Sequence, residues 1–173
     1  MKTFYKAVLT AFKDTENIKK YTENGLKPPR IIDLYNGQDF NPEYFDMVTL
    51  PALYLSSRID YSTDTPIMSI TVRLVYEQLR NTANIGVNLE QALYFFDMAQ
   101  ITDTIIRGVS TENTGKIRLL DEGLELEPTV SDVYVFTYEC KYYGKNKTLR
   151  QDCQQGFIDE IKVVEGNLFK GLL

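Results

Sequence analysis

A chain of 173 residues that is 43% hydrophobic and 25% charged has an ordinary globular composition, which excludes wholesale disorder. Its formal net charge of −5 and pI near 4.9 argue against a protein that grips DNA by its phosphates. The chain contains no histidine, which removes the commonest general base and the commonest metal ligand.

The length suits one domain with an appendage. No apolar run approaches the roughly 20 residues that a membrane span needs. MKTFYKAVLTAF is too short an apolar stretch for a secretory leader and is followed at once by KDTENIKKYTEN, so a product made in the cytoplasm is expected. There Cys140 and Cys153 stay reduced, and the Asn146-Lys147-Thr148 sequon is a chance match.

Met1 to about Tyr21 reads as one amphipathic helix, with Phe4, Val8, Ala11, Phe12, Ile18 and Tyr21 at helical spacing. Asn24-Gly25 stops it and Pro28-Pro29 bars continuation. Ile31–Tyr35 is strand-like and ends at Asn36-Gly37. The following loop carries Phe40, Tyr44, Phe45 and Met47, which are expected to tuck into the domain. Ala52–Tyr61 and Ile67–Tyr76 alternate with period two. Leu53, Leu55, Ile59 and Tyr61 form one face of the first, and Ile70, Val72, Leu74 and Tyr76 one face of the second. Ser62-Thr63-Asp64-Thr65-Pro66 closes this hairpin with a loop longer than a tight turn.

Gln78–Val87 is polar and rich in turn residues. Asn88 then stands where an N-cap belongs, with Gln91 completing a capping-box pattern, before a helix from Leu89 to about Arg107 stopped by Gly108. Its apolar face is wide enough to need cover on more than one side, from the sheet and from a second subunit. Lys116–Glu127 reads as a hairpin about Asp121-Glu122-Gly123 or as a loop with one short strand. Val133–Tyr143 alternates cleanly, with Tyr134, Phe136, Tyr138, Cys140 and Tyr142 on one face. In the last stretch, IDEIKVV reads as an edge strand or a short helix.

Motifs for chemistry are lacking. There is no phosphate-binding glycine loop, nucleophile elbow or paired-cysteine zinc motif. Asp121, Glu122, Glu125 and Glu127 cluster, but Glu125 and Glu127 alternate with Leu124 and Leu126, as on the wet face of a strand. Lys141, Lys145, Lys147 and Arg150 read as a solvated loop. The tyrosine ladder on the late strand points to core or to a subunit interface. No catalytic residue, metal or cofactor is expected. The residues alone leave open a scaffold, an adaptor that binds peptides, and an enzyme using the Asp121–Glu127 carboxylates.

The order of elements is more specific. A first helix leads to a proline-preceded strand (LPALYL), a long hairpin partner (IMSITVRLVY), a buried helix (NLEQALYFFDMAQITDTII), a short acidic segment and an aromatic-rich strand (VYVFTYECKYYG). This order resembles the tail-terminator and head-to-tail joining (neck ring) proteins of tailed bacteriophages. The resemblance covers most of residues 1–144 and leaves 145–173 as a C-terminal extension. A composition rich in Asn, Lys, Tyr and Ile suits a virus of a Bacteroides-like host, such as a crAss-like phage.

The resemblance implies an α+β domain with an antiparallel sheet and a long hairpin packed on two main helices. It implies a virion structural protein, made in the host cytoplasm and located in the tail or neck, that partners itself in a ring. Such rings hold on the order of six or twelve copies closed by head-to-tail contacts. Adjacent neck, portal or tail-tube proteins would be further partners, with DNA only as cargo passing the lumen and no membrane involved. An acidic chain suits a lumen that must release a polyanion. The implied subunit contacts are the hairpin residues Tyr61, Ser62, Thr63, Asp64, Thr65 and Pro66. Phe157, Ile161, Val163 and Phe169 of the extension join them, since that segment can add a strand to a neighbour. The contrasting expectation is a non-viral adaptor that binds a peptide at a sheet edge.

Overall fold

The computed structural model describes residues 1–41, 50–77, 82–127, 129 and 131–144. The chain is α+β. Among the described residues, helices α1 (Lys2–Lys13), α2 (Thr15–Glu23) and α3 (Leu89–Gly108) accompany a sheet of β1 (Ile31–Leu34), β2 (Ala52–Asp60), β3 (Ile67–Tyr76), β4 (Arg118–Leu124) and β5 (Asp132–Lys141). The sheet order is β1-β2-β3-β5-β4.

The expected single N-terminal helix is broken in two. Asp14 has extended backbone (φ −65°, ψ 132°), and its carboxylate accepts from the N–H groups of Glu16 and Asn17 at 3.0 and 3.2 Å. That caps α2, while the Asn17 side-chain amide donates to the Ala11 carbonyl at 2.9 Å, which also accepts from the Asp14 N–H at 3.4 Å. The break still buries the predicted stripe, with Phe4, Val8, Phe12 and Tyr21 in the core. After α2, Gly25 takes φ +69°, and the Leu26 N–H reaches back to the Tyr21 carbonyl at 2.9 Å. That closure requires a left-handed residue, which glycine supplies without steric cost.

The sheet is mixed and not purely antiparallel. β2, β3, β5 and β4 pair antiparallel, as the alternation predicts, but β1 runs parallel to β2, with Ile31 beside Ala52 and Leu34 beside Leu55. Side-chain alternation has the same period in either direction, so the parallel pairing has no signature in those four residues. The acidic segment is a single strand. Its expected turn at Asp121-Glu122-Gly123 lies inside β4, and the register shifts between Leu119 and Asp121.

Cross-strand register stacks Leu53, Leu74 and Tyr134 in one row and Leu55, Val72 and Phe136 in the next. This face carries the main core and is roofed by the helices. Phe95 of α3 stacks on Tyr76 at 5.5 Å between centroids, and Tyr134 lies 5.0 Å from Phe136, so the aromatic ladder belongs to the core. Fully burying one such side chain contributes about 1.5–3 kcal/mol. α2 packs on the same buried stripe of α3, where the buried Tyr21 hydroxyl bonds Thr102 at 2.8 Å. Burial pushes the Tyr21 phenol well above its usual value, against the lowering effect of that bond. Tyr94 and Phe96, near the N-terminus of α3, remain 42% and 50% exposed. Asn88 precedes α3 without forming the expected side-chain cap.

Candidate subunit interface

The back of the sheet is half covered. Toward one end, Leu50, Ala52, Tyr54, Val75 and Val133 form a second small core, with Tyr35 and Val135 packed against it. Arg73 of β3 points into this face and is only 8% exposed. A buried guanidinium needs anions, and Asp39 supplies one: its fully buried carboxylate lies 2.5 Å from Arg73 Nε. Glu125 approaches Arg73 Nη2 to 2.9 Å. The Tyr35 and Phe40 rings lie 5.1 and 5.4 Å from the guanidinium carbon, within cation–π range. This cluster pins the loop after β1 onto the sheet. It tucks Asp39 in more deeply than Phe40, which stays 41% exposed; Tyr44, Phe45 and Met47 lie outside the described residues.

The assignment of Glu125 to a solvated face is thereby corrected: it is a partner of Arg73. Burial raises the Glu125 carboxyl, but the Arg73 hydrogen bond and charge, with backbone N–H bonds, outweigh it and leave the carboxyl below its usual 4.5. A carboxyl depressed in the folded state stabilises above its unfolded value, and that contribution is lost as pH falls through the folded value. Melts of the wild type and Glu125→Gln should therefore converge as pH drops below about 4.5, with the wild type the more stable at pH 6. A constant gap across that range would contradict the pairing. Of the other three acids, Asp121 and Glu122 occupy opposite faces of β4, opposite Thr137 and Phe136. Among the described residues no group of three or more Cys, Asp or Glu side chains is arranged to hold a metal ion.

The hairpin residues cluster at the opposite end of the sheet. Tyr61 is 46% exposed, Ser62, Thr63 and Asp64 are exposed, Thr65 is half-buried and Pro66 is buried. The loop is tied down. Asp60 accepts from the Ser62 N–H at 2.8 Å, Thr63 Oγ1 donates to the Thr65 carbonyl at 2.7 Å, and the Pro66 carbonyl accepts from the Tyr142 N–H at 2.8 Å. The Ser62 bonds also hold the Asp60 carboxyl below its usual value. Phe157, Ile161, Val163 and Phe169 lie outside the described residues.

Sequence reasoning missed the two sheet edges as surfaces. β1 and β4 end the sheet at opposite sides, and neither outer edge pairs with a strand among the described residues. Both edges carry exposed apolar side chains: Ile31 (36%) and Leu34 (57%) on one, Leu120 (48%) and Leu124 (47%) on the other, with Leu126 just beyond at 93%. Leu34 stands beside Leu55 and Leu124 beside Tyr134, and those two partners belong to the helix-covered face. Leu34 and Leu124 thus lie on the same side of the sheet. Unpaired edges of this kind are templates for pairing with another chain. The signal was present in LEL, whose leucines alternate with acids, but strand order was needed to recognise an edge.

Among the described residues no helix is long and apolar enough to cross a membrane. No family model matches the chain, and no curated protein matches its sequence.

Proposed function

We propose that this chain is a virion structural protein that forms a closed homo-oligomeric ring at a phage head-to-tail junction, as a tail terminator or neck component, leaving a channel for DNA. The observation that carries the reading is the pair of apolar edges on opposite sides of one sheet, neither paired with a strand among the described residues. A closed ring needs two different, complementary surfaces on each subunit, because its contacts are heterologous.

Strand directions fit the contact. β2 and β1 run one way, β3 the other, β5 with β2, and β4 against it, so β1 and β4 are antiparallel within a subunit. A ring whose axis follows the strands preserves those directions, so β4 of one copy meets β1 of the next as an antiparallel pair. Leu124 and Leu34 then fall on the same side of the joined sheet. The order of elements that resembles the phage joining proteins is the second support, and the net charge of −5 suits a lumen that passes DNA. Six or twelve copies is the order of copy number that the resemblance suggests. Adjacent portal, neck or tail-tube proteins would cap the ring's two faces, and the place of the assembled protein is the virion.

Negative-stain images of the purified chain test this reading. Closed annular particles with a central channel are expected, together with the chain's presence in purified virions. Fields of small single particles, and absence from virions, would overturn it. A groove beside the hairpin favours a second reading, a peptide-binding adaptor that acts as a monomer or dimer. That reading expects capture of a partner peptide with no ring.

A further inference from the structure

A groove of about 980 Å³ opens where the hairpin loop, the segment before β4 and the end of β5 meet. Ile67, Ile117 and Cys140 give it apolar walls. Burial, with Glu139 nearby, pushes the Cys140 thiol up to about 11, so this wall is dry and unreactive rather than nucleophilic. Four cations line the groove, Arg107, Lys116, Arg118 and Lys141, against the acids Asp64 and Glu139. Asp103 holds Arg107 through both carboxylate oxygens, and Glu139 holds Arg118 at 2.5 Å. Lys116 and Lys141 have no ion-pair partner among the described residues, so the groove is apolar and carries surplus positive charge.

The described chain leaves this place directly. Tyr143 lines the groove and Gly144 follows it. Downstream come the polar residues 145–156 and then Phe157–Glu165, FIDEIKVVE, which sets Asp159, Glu160 and Glu165 against Lys162 and supplies Phe157, Ile158, Ile161, Val163 and Val164. We infer that Phe157–Glu165 docks into the groove of its own chain, its apolar side chains on the Ile67, Ile117 and Cys140 walls and its acids toward Lys116 and Lys141. Intramolecular docking follows from reach. The 12 intervening residues can reach at most about 40 Å, which keeps the segment near the groove at an effective concentration in the millimolar range. A second copy in dilute solution does not compete with that. The inference stands apart from the ring reading and brings Phe157, Ile161 and Val163 to the hairpin loop by a route within one subunit.

Hydrogen exchange on the full-length chain tests it, with the β3 and β5 amides as the folding control. Amides of 157–165 should exchange at least about tenfold more slowly than unprotected amides, equally at low and high protein concentration. Ile161→Asp should abolish that protection, and so should the double reversal Lys116→Glu with Lys141→Glu. Adding Asp159→Lys and Glu160→Lys to the double reversal should restore it. Three results would overturn the inference: exchange at the unprotected rate in the wild type, protection that falls on dilution and so belongs to a second copy, or protection that survives the double reversal.

Discussion

Arg73→Ala should cost about 3–5 kcal/mol of folding stability, the typical penalty for stripping one partner from a buried ion pair. The substitution removes the cation 2.5 Å from Asp39, whose side chain is fully buried and whose Oδ1 already lacks a hydrogen-bond partner among the described residues. Asp39 would then have to hold its charge in a dry pocket, take up a proton, or open the loop to water. Glu125 is less affected, since its side chain is 21% exposed and can hydrate in place. Replacing both partners with apolar residues, Arg73→Met with Asp39→Leu, should recover most of the loss, because no unpaired charge is left behind. Urea midpoints at fixed protein concentration measure both variants; the fixed concentration matters because the proposed assembly would add concentration-dependent stability. A loss below about 1 kcal/mol for Arg73→Ala, the level of an exposed ion pair, would mean that the pocket is wet.

That cluster also marks where reading the sequence stopped. On an alternating strand, Arg73 between Val72 and Leu74 looks the same whether it faces water or a buried acid. Its main partner is 34 residues away in a loop with no period of its own. β2, β3, β5 and α3 were legible because their burial follows directly from a two-residue or helical repeat. The break at Asp14 was harder to see. Helical spacing continues across it, and only the capping chemistry of Asp14 and Asn17 separates α1 from α2. Strand direction and strand order are set by long-range packing. The parallel β1 and the edge position of β4 therefore appeared only in three dimensions, and with them the surface that best supports the proposed assembly.

Leu124→Lys should abolish ring formation while leaving the subunit folded. Leu124 is 47% exposed on the edge strand, so a lysine can extend its charge into water at little cost to the fold, about 0.5 kcal/mol or less. A charge on an edge strand is the device by which sheets avoid pairing with one another. Leu34→Lys should act identically at the other edge. Mixing the two variants separates the modes of contact. In a head-to-tail ring, the intact β1 edge of the Leu124→Lys chain meets the intact β4 edge of the Leu34→Lys chain. The mixture should then form dimers that cannot grow, while each variant alone stays single. If contacts were isologous, β4 to β4, the Leu34→Lys chain alone would still dimerise and the mixture would add nothing. Rings of unchanged size in both variants would remove the sheet edges from the contact altogether.

The central claim is that identical neighbours cover the apolar edges left unpaired among the described residues. Light-scattering mass of the wild-type chain across a wide concentration range tests it most directly. The account predicts a single closed species whose mass is an integer multiple of 19.9 kDa, on the order of six or twelve chains, with no larger polymer at high concentration. A mass of one chain at every concentration would contradict it.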